Sequence, residues 1–225
     1  MTERTAVAVD ADTPHRFIVV EGPIGVGKTT LAQRLASTFD SDLLLEGADE
    51  NPFLERFYQN PRSAALPAQL FFLFQRARQL QSWRQNDLFA PVRVADFLMQ
   101  KDRLFAQLTL DPDELQLYEQ VYAHLTIDAP VPDLVIYLQA PLEVLLDRIV
   151  HRRRPYERQI SADYLSRVSD SYTRFFYTYS DSPLLIVNAA EINLAQGQAD
   201  YDALLRQVRA TRSGRHYFNP LPLEL

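Results

Sequence analysis

The sequence predicts an α/β protein in which a parallel sheet of about five strands lies between layers of helices. Three observations predict this class. Short apolar runs recur along the chain, helical patterns separate them, and a glycine-rich turn follows the first run. The runs show little alternation of apolar and polar residues, which is typical of parallel strands covered on both faces. The predicted strands are residues 17–20, 43–45, 92–95, 134–138 and 184–187.

The helices between these strands are indicated by their start signals and spacing. A long helix is predicted over residues 64–84, with Pro67 in its first turn, where a proline costs no hydrogen bond. The segment Asp-Pro-Asp-Glu at 111–114 offers a capping residue, a proline at the first helical position and an acid at the third, so a helix is expected to begin there. Two further helices are predicted over 141–152, opened by a proline, and over 160–179.

The length of 225 residues suits one domain with a substantial core, which we place at residues 16–210. Residues 1–15 are expected to be a mobile tail, since they lack the apolar h-region of a signal peptide and carry three acids. For the same reason neither a secretory signal nor an arginine-rich transit peptide is expected. Residues 211–225, with prolines at 220 and 222, are expected to form an irregular C-terminal tail.

Composition and charge exclude several classes of function. The net charge of −6 argues against a general nucleic-acid-binding or anionic-membrane surface. No apolar stretch approaches the roughly 20 residues needed to span a bilayer. The chain has no cysteine, which excludes disulfides and thiol catalysis and fits a reducing compartment, so a cytoplasmic protein is expected. The four histidines show no metal-ligand spacing.

A phosphate-binding loop follows the first predicted strand. Residues 22–29 fit the pattern G-x-x-x-x-G-K-[ST], and an amphipathic helix with Leu31, Leu35 and Phe39 on one stripe follows. Glycines let the backbone wrap a phosphate, with N–H groups and the helix N-terminus pointing at anionic oxygens. Strand, spacing and helix agree, which disfavours a chance glycine turn and predicts a P-loop NTPase fold. The expected triphosphate contacts are Gly22, Pro23, Ile24, Gly25, Val26, Gly27, Lys28, Thr29 and Thr30, with the Thr29 hydroxyl also on Mg²⁺.

Acids follow two of the predicted strands at the same edge of the sheet. Asp96 ends the strand 92–95, where a P-loop enzyme places its magnesium-side carboxylate, although it could also cap the next helix. Glu46 ends the strand 43–45 and is the candidate general base for an acceptor hydroxyl. Glu50 could take this role instead, and both glutamates could also be solvated loop acids.

Four arginines cluster at the end of the predicted helix 141–152. Cations near a helix C-terminus complement its dipole, but four of them followed by a proline exceed that need. We therefore expect a mobile, phosphate-clamping lid over about residues 152–159. The cluster consists of Arg148, Arg152, Arg153 and Arg154.

Polar and aromatic residues share one face of the predicted helix 64–84. Gln69, Phe72 and Arg76 recur at i, i+3 and i+7, so an amide, a ring and a guanidinium lie on one stripe. This combination favours a polar ligand pocket over a satisfied buried pair. Glutamine and arginine are suitable groups for reading the edge of a nucleobase.

Taken together, these residues resemble the deoxyribonucleoside kinases, in particular the bacterial deoxyadenosine/deoxyguanosine kinase branch. The resemblance extends from about Phe17 to Val187. It rests on the arginine cluster and on the segments EGPIGVGKTT (21–30), ENPFLERFY (50–58), QLFFL (69–73), KDRLFA (101–106) and PDLVIYLQA (132–140).

The resemblance implies transfer of the ATP γ-phosphate, with Mg²⁺, to the 5′-hydroxyl of a deoxyribonucleoside, in a homodimeric enzyme of nucleotide salvage. It implies that Glu46 is the base and that Tyr58 and Glu157 hold the 3′-hydroxyl. It further implies that Gln69, Arg76 and Asp102 contact the nucleobase beside Phe72, and that the lid cations are Arg148, Arg152 and Arg154.

The sequence departs from this pattern in one place. Many relatives carry an acid, an arginine and a serine or threonine where this chain has Asp96-Phe97-Leu98, so Lys101 or Arg103 could replace the missing arginine. A purine is the favoured base, because the Arg76–Asp102 pair suits an exocyclic amine or a guanine edge. Deoxycytidine stays possible.

Two other functions compete with this interpretation. A nucleoside monophosphate kinase of the thymidylate type must bind an acceptor phosphate, which Glu46 and Glu157 would repel. A nucleotide switch reads guanine with Asn-Lys-x-Asp and senses the γ-phosphate with Asp-x-x-Gly, and the chain contains neither pattern.

Overall fold

The computed structural model describes residues 13–85, 92–125, 129–195 and 197–220. These residues form a six-stranded sheet in the order β2-β3-β1-β4-β5-β6, and every neighbouring pair is parallel. The strands are β1 Phe17–Glu21, β2 Asp42–Leu44, β3 Arg93–Ala95, β4 Leu134–Gln139, β5 Leu184–Asn188 and β6 Arg215–Phe218. The α/β fold class predicted from the sequence is therefore confirmed.

Helices cover both faces of the sheet. The α-helices are α1 Lys28–Phe39, α2 Leu54–Gln59, α3 Pro61–Gln85, α4 Lys101–Thr109, α5 Pro112–His124, α6 Leu142–Arg152, α7 Ala162–Thr178 and α8 Gln198–Ala210. Short 3-10 helices span Ala48–Glu50 and Pro155–Gln159. In β1, Ile18 and Val20 pack with α1, α6 and α8, whereas Val19 packs with α3, α4 and α7. The strands are apolar on both faces because both faces are covered.

The strand order places the carboxyl ends of β1 and β3 side by side. β1 pairs with β3 on one side and with β4 on the other, from Ile18 opposite Leu134 to Glu21 opposite Tyr137. The connection from β1 leads to β2 on one side of the sheet, and the connection from β3 leads to β4 on the other side. Because these two connections diverge, a crevice opens beyond the ends of β1 and β3. The glycine-rich loop after β1 and Asp96 after β3 both lie at this crevice.

Two helix starts show how local signals act. Asp111 caps α5 by accepting hydrogen bonds from the backbone N–H groups of Asp113 and Glu114, as the sequence predicted. The long helix α3 differs from its prediction, because it begins at Pro61 rather than at residue 64. Pro67 therefore lies inside the helix and not in its first turn. Pro61 has no N–H to leave unpaired, so it suits the first position and extends the helix towards its N-terminus.

The C-terminal segment expected to be irregular contains β6. The strand pairs with β5 from Leu184 opposite Arg215 to Val187 opposite Phe218, and the backbone N–H of Leu184 donates to the carbonyl oxygen of Gly214. Three of its four side chains are exposed, so its sequence contains no apolar run from which a strand could be predicted. Main-chain pairing along the edge stabilises it instead. Residues 221–225 lie outside the described part of the chain.

The described end of the predicted N-terminal tail, residues 13–15, packs on the domain. Residues 1–12 lie outside the described part, but His15 is buried and its Nε2 is 2.9 Å from the carbonyl oxygen of Val208. Burial lowers the pKa of His15. This contact with α8 attaches the chain to the domain before β1 begins.

Candidate active site

The glycine-rich loop forms a tight turn between β1 and α1. Gly22, Gly25 and Gly27 have φ values of 148°, 86° and 107°, which favour glycine. A Cβ atom on Gly22 would lie 2.5 Å from the carbonyl oxygen of Leu138, and one on Gly25 would lie 2.8 Å from that of Leu145. The loop therefore packs directly on the backbone of β4 and α6, which fixes the position of its N–H groups.

Lys28 folds back over its own loop. Its Nζ donates hydrogen bonds to the carbonyl oxygens of Gly22 at 2.7 Å and Pro23 at 3.2 Å. Burial, followed by the nearby charge of Lys101, lowers the pKa of Lys28 to about 8. A buried ammonium next to another cation favours an anionic ligand, because a phosphate would stabilise its charged form.

Asp96 joins the loop to the backbone of Glu46. The hydroxyl of Thr29 donates to Asp96 Oδ2 at 2.6 Å, and the backbone N–H of Glu46 donates to Oδ1 at 2.8 Å. The alternative role as a helix cap does not apply, because α4 begins at Lys101 with Gln100 as its N-cap. Asp96 is buried at 4% exposure, so this arrangement is well shielded from water.

Thr29 and Asp96 are suitable ligands for Mg²⁺. Within the described ranges there is no group of three or more His, Cys, Asp or Glu side chains that could hold a metal alone. Magnesium in phosphoryl-transfer sites uses one or two protein oxygens and takes its remaining ligands from phosphates and water. The hydroxyl and carboxylate, already in contact, fit that requirement.

A cavity of about 470 Å³ extends from the loop to the face of α3. Most of the residues that the sequence singled out line it, whereas Asp102 lies behind Arg76, and Gly22, Pro23, Val26 and Arg148 lie outside its wall. The predicted residues that line it are Ile24, Gly25, Gly27, Lys28, Thr29, Thr30, Glu46, Tyr58, Gln69, Phe72, Arg76, Asp96, Arg152, Arg154 and Glu157.

Glu46 is the partly exposed member of a buried charge cluster. Its Oε1 is paired with Arg76, and its Oε2 lies 3.0 Å from Nζ of Lys101. Arg76 also pairs with Asp102, which is fully buried. Burial raises the pKa of Asp102, against the opposing effect of Arg76 and Lys101. The cluster thus fixes a carboxylate at the wall of the cavity between the loop and α3.

The side chain of Glu50, the alternative base, lies outside the cavity. Its Oε2 accepts a hydrogen bond from Nε2 of Gln75 at 2.9 Å. Gln79 donates from Nε2 to the carbonyl oxygen of Leu45 at 3.0 Å, directly before Glu46. These amides of α3 hold the turn after β2, so the position of Glu46 depends on α3 as well as on the sheet.

Of the two cations expected to replace the missing arginine, Lys101 lies beside Glu46. Its Nζ is 3.0 Å from Glu46 and 3.5 Å from Oε1 of Glu21, and the side chain is buried. Arg103, the other candidate, lies at the surface and binds Glu119. Glu21 was not predicted from the sequence; its position as the last residue of β1, directly before the glycine-rich loop, was the available signal.

The arginine cluster divides between two places. Arg152 donates from Nη1 to Oε1 of Glu157 at 3.1 Å, and Arg154 donates to the hydroxyl of Tyr156 at 2.9 Å. That hydroxyl donates to Oδ1 of Asp49 at 2.6 Å, so the 3-10 helix after α6 is joined to the segment after β2 at the cavity wall. Burial raises the pKa of Glu157.

Arg148, in contrast, binds backbone oxygens beneath the loop. Its guanidinium donates to the carbonyl oxygens of Val26 at 3.2 Å, Ala189 at 2.7 Å and Ala190 at 3.2 Å. It therefore links the glycine-rich loop to the segment after β5. Its predicted contact with a triphosphate stays a prediction.

The sequence matches a family model described as deoxynucleoside kinase over residues 18–212. The chain is 40% identical over 158 residues to a deoxyguanosine kinase from Bacillus subtilis (strain 168), which covers 69% of this chain and 76% of that protein. It is 29% identical over 208 residues to a deoxyguanosine kinase from Lactobacillus johnsonii, with coverage of 86% and 91%.

The fold is also similar to solved structures. A deoxyadenosine kinase from M. mycoides with the products dCMP and a flexible dCDP bound superimposes with a TM-score of 0.74 at 21% identity, covering 86% of this chain and 98% of that one. The same enzyme with bound dATP gives a TM-score of 0.74 at 22% identity. Within the described residues, no helix has the length and apolar character needed to cross a membrane.

Proposed function

The chain belongs to the deoxynucleoside kinase family, and we propose on this basis that it transfers the γ-phosphate of ATP to the 5′-hydroxyl of a purine deoxyribonucleoside. The product is the deoxynucleoside monophosphate, in nucleotide salvage. The observation that carries the proposal is one continuous cavity with the glycine-rich loop at one end, the α3 face at the other and Glu46 in its wall.

The donor end supports binding of ATP with Mg²⁺. Backbone N–H groups of the loop and the ammonium of Lys28 would bind the phosphates, and Thr29 and Asp96 would hold the metal. When bound, Mg²⁺ neutralises charge on the β- and γ-phosphates. Arg152 and Arg154 line the same cavity, so a modest movement of the lid would bring them to the phosphates.

The acceptor end supports binding of a nucleoside. The carboxylate of Glu46 would take the proton of the 5′-hydroxyl as that oxygen attacks the γ-phosphorus. Tyr58 and Glu157, both in the cavity wall, would hold the 3′-hydroxyl. Two acids on this side disfavour an acceptor that already carries a phosphate, which argues against a monophosphate kinase.

The base-reading end supports a purine. Gln69, Phe72 and Arg76 line the slot, and the guanidinium carbon of Arg76 lies 5.1 Å from the centre of the Phe72 ring. Oδ2 of Asp102 is buried and has no hydrogen-bond partner among the described residues. Asp102 lies behind Arg76, so a donor on the base edge, such as an exocyclic amine, would reach that oxygen only after the Arg76 side chain moves aside. The relative from Bacillus subtilis named deoxyguanosine kinase supports the same choice.

The assembly and location are proposed from the family resemblance. We propose a homodimer in the cytoplasm, and the absence of cysteine fits a reducing compartment. Light scattering coupled to gel filtration checks the dimer, because a mass of one chain would contradict it.

One comparison of turnover tests the function. ADP formation is measured with deoxyadenosine, deoxyguanosine, deoxycytidine and thymidine offered separately, with deoxynucleoside monophosphates as controls. We expect ADP only when a nucleoside is present and fastest turnover with a purine. Turnover with a monophosphate alone would support the thymidylate-type kinase, and slow GTP hydrolysis without an acceptor would support a nucleotide switch.

A further inference from the structure

Glu157 is held by two ion pairs that a bound triphosphate would disturb. Its Oε1 accepts a hydrogen bond from Nη1 of Arg152 at 3.1 Å and lies 3.8 Å from Nη1 of Arg154. Both arginines line the cavity and are the cations expected to turn to the phosphates. A guanidinium that binds a phosphate has fewer donors left for a carboxylate, so these ion pairs alone would not keep Glu157 in place during the reaction.

The carboxylate of Glu157 also has an unfilled hydrogen-bonding position. Glu157 is 5% exposed, and its Oε2 is buried without a hydrogen-bond partner in the described ranges. An unpaired buried acceptor is costly, and a hydroxyl of a sugar bound in the cavity would satisfy it. Its usefulness to a substrate depends on how firmly the 3-10 helix that carries it, Pro155–Gln159, is held at the acceptor end.

Tyr156 fastens this 3-10 helix to the acceptor end of the cavity. Its hydroxyl donates to Oδ1 of Asp49 at 2.6 Å, in the 3-10 helix that follows the turn after β2. Its ring is parallel to that of Tyr58, with the ring centres 6.4 Å apart and the planes at 5°, as in offset aromatic pairs. Burial, followed by the hydrogen bond to Asp49, raises the pKa of Tyr156, so the hydroxyl keeps the proton that it donates.

These two contacts of Tyr156 do not depend on the phosphates. Asp49 and Tyr58 both lie between β2 and α3 in the chain, and neither carries a positive charge. Arg154 donates to the Tyr156 hydroxyl at 2.9 Å, and its Nη2 lies 3.5 Å from Oδ2 of Asp49. When Arg154 turns to a ligand, the hydrogen bond from Tyr156 to Asp49 is left. Tyr156 can therefore hold Glu157 at the acceptor end while the arginines move.

We propose that Tyr156 is a positioning residue, which keeps Glu157 on the 3′-hydroxyl of the nucleoside after the lid arginines have turned to the phosphates. Its anchors are the carboxylate of Asp49 and the ring of Tyr58. This rests on the proposed function, in which Tyr58 and Glu157 hold that hydroxyl. The effect of Tyr156 on turnover passes through Glu157, so it depends on whether the sugar carries a 3′-hydroxyl.

The test compares a deoxynucleoside with its 2′,3′-dideoxy analogue. kcat/KM is measured for both, using whichever of deoxyadenosine and deoxyguanosine turns over faster. A hydrogen bond to a charged group contributes roughly tenfold to a hundredfold, so the wild type should prefer the deoxynucleoside by about that factor. In Tyr156→Ala this preference should fall by about fivefold or more, while kcat/KM for the dideoxy analogue changes by less than about twofold.

Matched variants separate this role from a structural one. Tyr177→Ala makes the same change at a tyrosine of α7 that is 79% exposed, and it should leave both kcat/KM values unchanged. Asp49→Asn keeps a side-chain oxygen that can accept from Tyr156 and should retain most of the preference, whereas Asp49→Ala removes the acceptor and should lower it. A merely structural role for Tyr156 would lower kcat/KM for both substrates by the same factor, and that result would overturn the proposal.

Nucleoside binding provides a second readout. Calorimetry measures the affinity for both nucleosides with and without a non-hydrolysable ATP analogue and Mg²⁺. Because Arg152 and Arg154 still hold Glu157 when no phosphate is present, Tyr156→Ala should keep most of the preference without the analogue and lose it with the analogue. An equal loss under both conditions would overturn the proposal.

The outcomes for this proposal and for the proposed function are distinguishable. If the wild type phosphorylates no nucleoside, the proposed function fails. If it phosphorylates nucleosides and Tyr156→Ala keeps the full preference for a 3′-hydroxyl, only the role of Tyr156 fails. Should Tyr156→Ala not fold, as judged by circular dichroism, the comparison of Asp49→Ala with Asp49→Asn decides, and an equal preference in those two variants would refute the role.

Discussion

Arg76 offers the sharpest test of the buried charge cluster. Its side chain is 3% exposed and pairs with Asp102, which is 0% exposed, and with Glu46. Arg76→Met removes the charge and keeps most of the apolar length of the side chain. Glu46 retains Lys101 as a partner, so the loss falls mainly on Asp102, which is left beside Lys101 without its own ion pair.

The expected loss of stability follows from that isolation. Removing one partner of a buried ion pair costs about 3–5 kcal/mol, because the other charge stays buried and uncompensated. For a domain of this size each kcal/mol lowers Tm by about 2–4 °C, so Arg76→Met should unfold about 6–20 °C below the wild type. The Phe72 ring also loses its contact with the guanidinium, which adds little to this.

The loss should depend on pH in a defined direction. The pKa of Asp102 is raised in the folded protein, chiefly by burial. A carboxyl with a raised folded pKa favours the folded state fully only below its unfolded pKa of about 4, and this contribution is lost as pH rises through the folded value. Without Arg76 the folded value rises further, so the gap in stability between variant and wild type should widen from pH 5 to pH 8.

Urea unfolding followed by circular dichroism at pH 5 and pH 8 measures both effects. The matched variant Arg76→Met/Asp102→Asn removes both charges and should recover most of the lost free energy of unfolding. The reasoning is refuted if the double variant is no more stable than the single one, or if the loss is equal at the two pH values.

Four further outcomes are expected. Glu46→Gln should lower kcat by about 10²–10⁴ in a steady-state ADP assay with a modest change in nucleoside KM; near-normal turnover would move the role to Glu50. Lys28→Ala should abolish phosphoryl transfer and leave the circular dichroism spectrum intact, and residual wild-type turnover would contradict the role of the loop. Arg76→Ala should weaken nucleoside binding by about 1–3 kcal/mol, whereas an unchanged KM for every nucleoside would remove the base-reading role. Because the pKa of Lys28 is lowered to about 8, calorimetry should find ATP affinity falling as pH rises above that value, and a constant affinity up to about pH 10 would exclude its charge from binding.

Local signals were sufficient for most of the sheet. The five runs predicted from apolar composition became β1 to β5 within one or two residues at each end, and the glycines after β1 adopt conformations that only glycine takes easily. β6 escaped prediction because main-chain pairing to β5 stabilises it while its side chains stay exposed. The first turn of α3 escaped prediction because Pro67 was expected to lie in the first turn of a helix beginning at residue 64, whereas the helix begins at Pro61.

The cavity was predictable only where its residues share a helical stripe or a strand end. Gln69 and Arg76 recur at helical spacing, which predicted that they share one face of α3. Glu46 and Asp96 each follow a strand, which predicted that they lie at the same edge of the sheet. The contact of Lys101 with Glu21 joins residues 80 positions apart in sequence, and nothing in local periodicity links them. For Arg148 the helical spacing predicted a face shared with Arg152. That spacing did not determine which backbone oxygens the Arg148 guanidinium would bind.

Asp96 has a consequence for how such a protein can change. Its two oxygens accept hydrogen bonds from the Thr29 hydroxyl and the backbone N–H of Glu46, so one carboxyl group sets the distance between the first turn of α1 and the turn after β2. Substitutions along α3 that keep Gln75, Arg76 and Gln79 would leave these two hydrogen bonds in place, because those three side chains hold Glu46 and the turn that carries it. A side chain one methylene longer at position 96 would displace Thr29 or the turn that carries Glu46, unless the backbone around it moved as well.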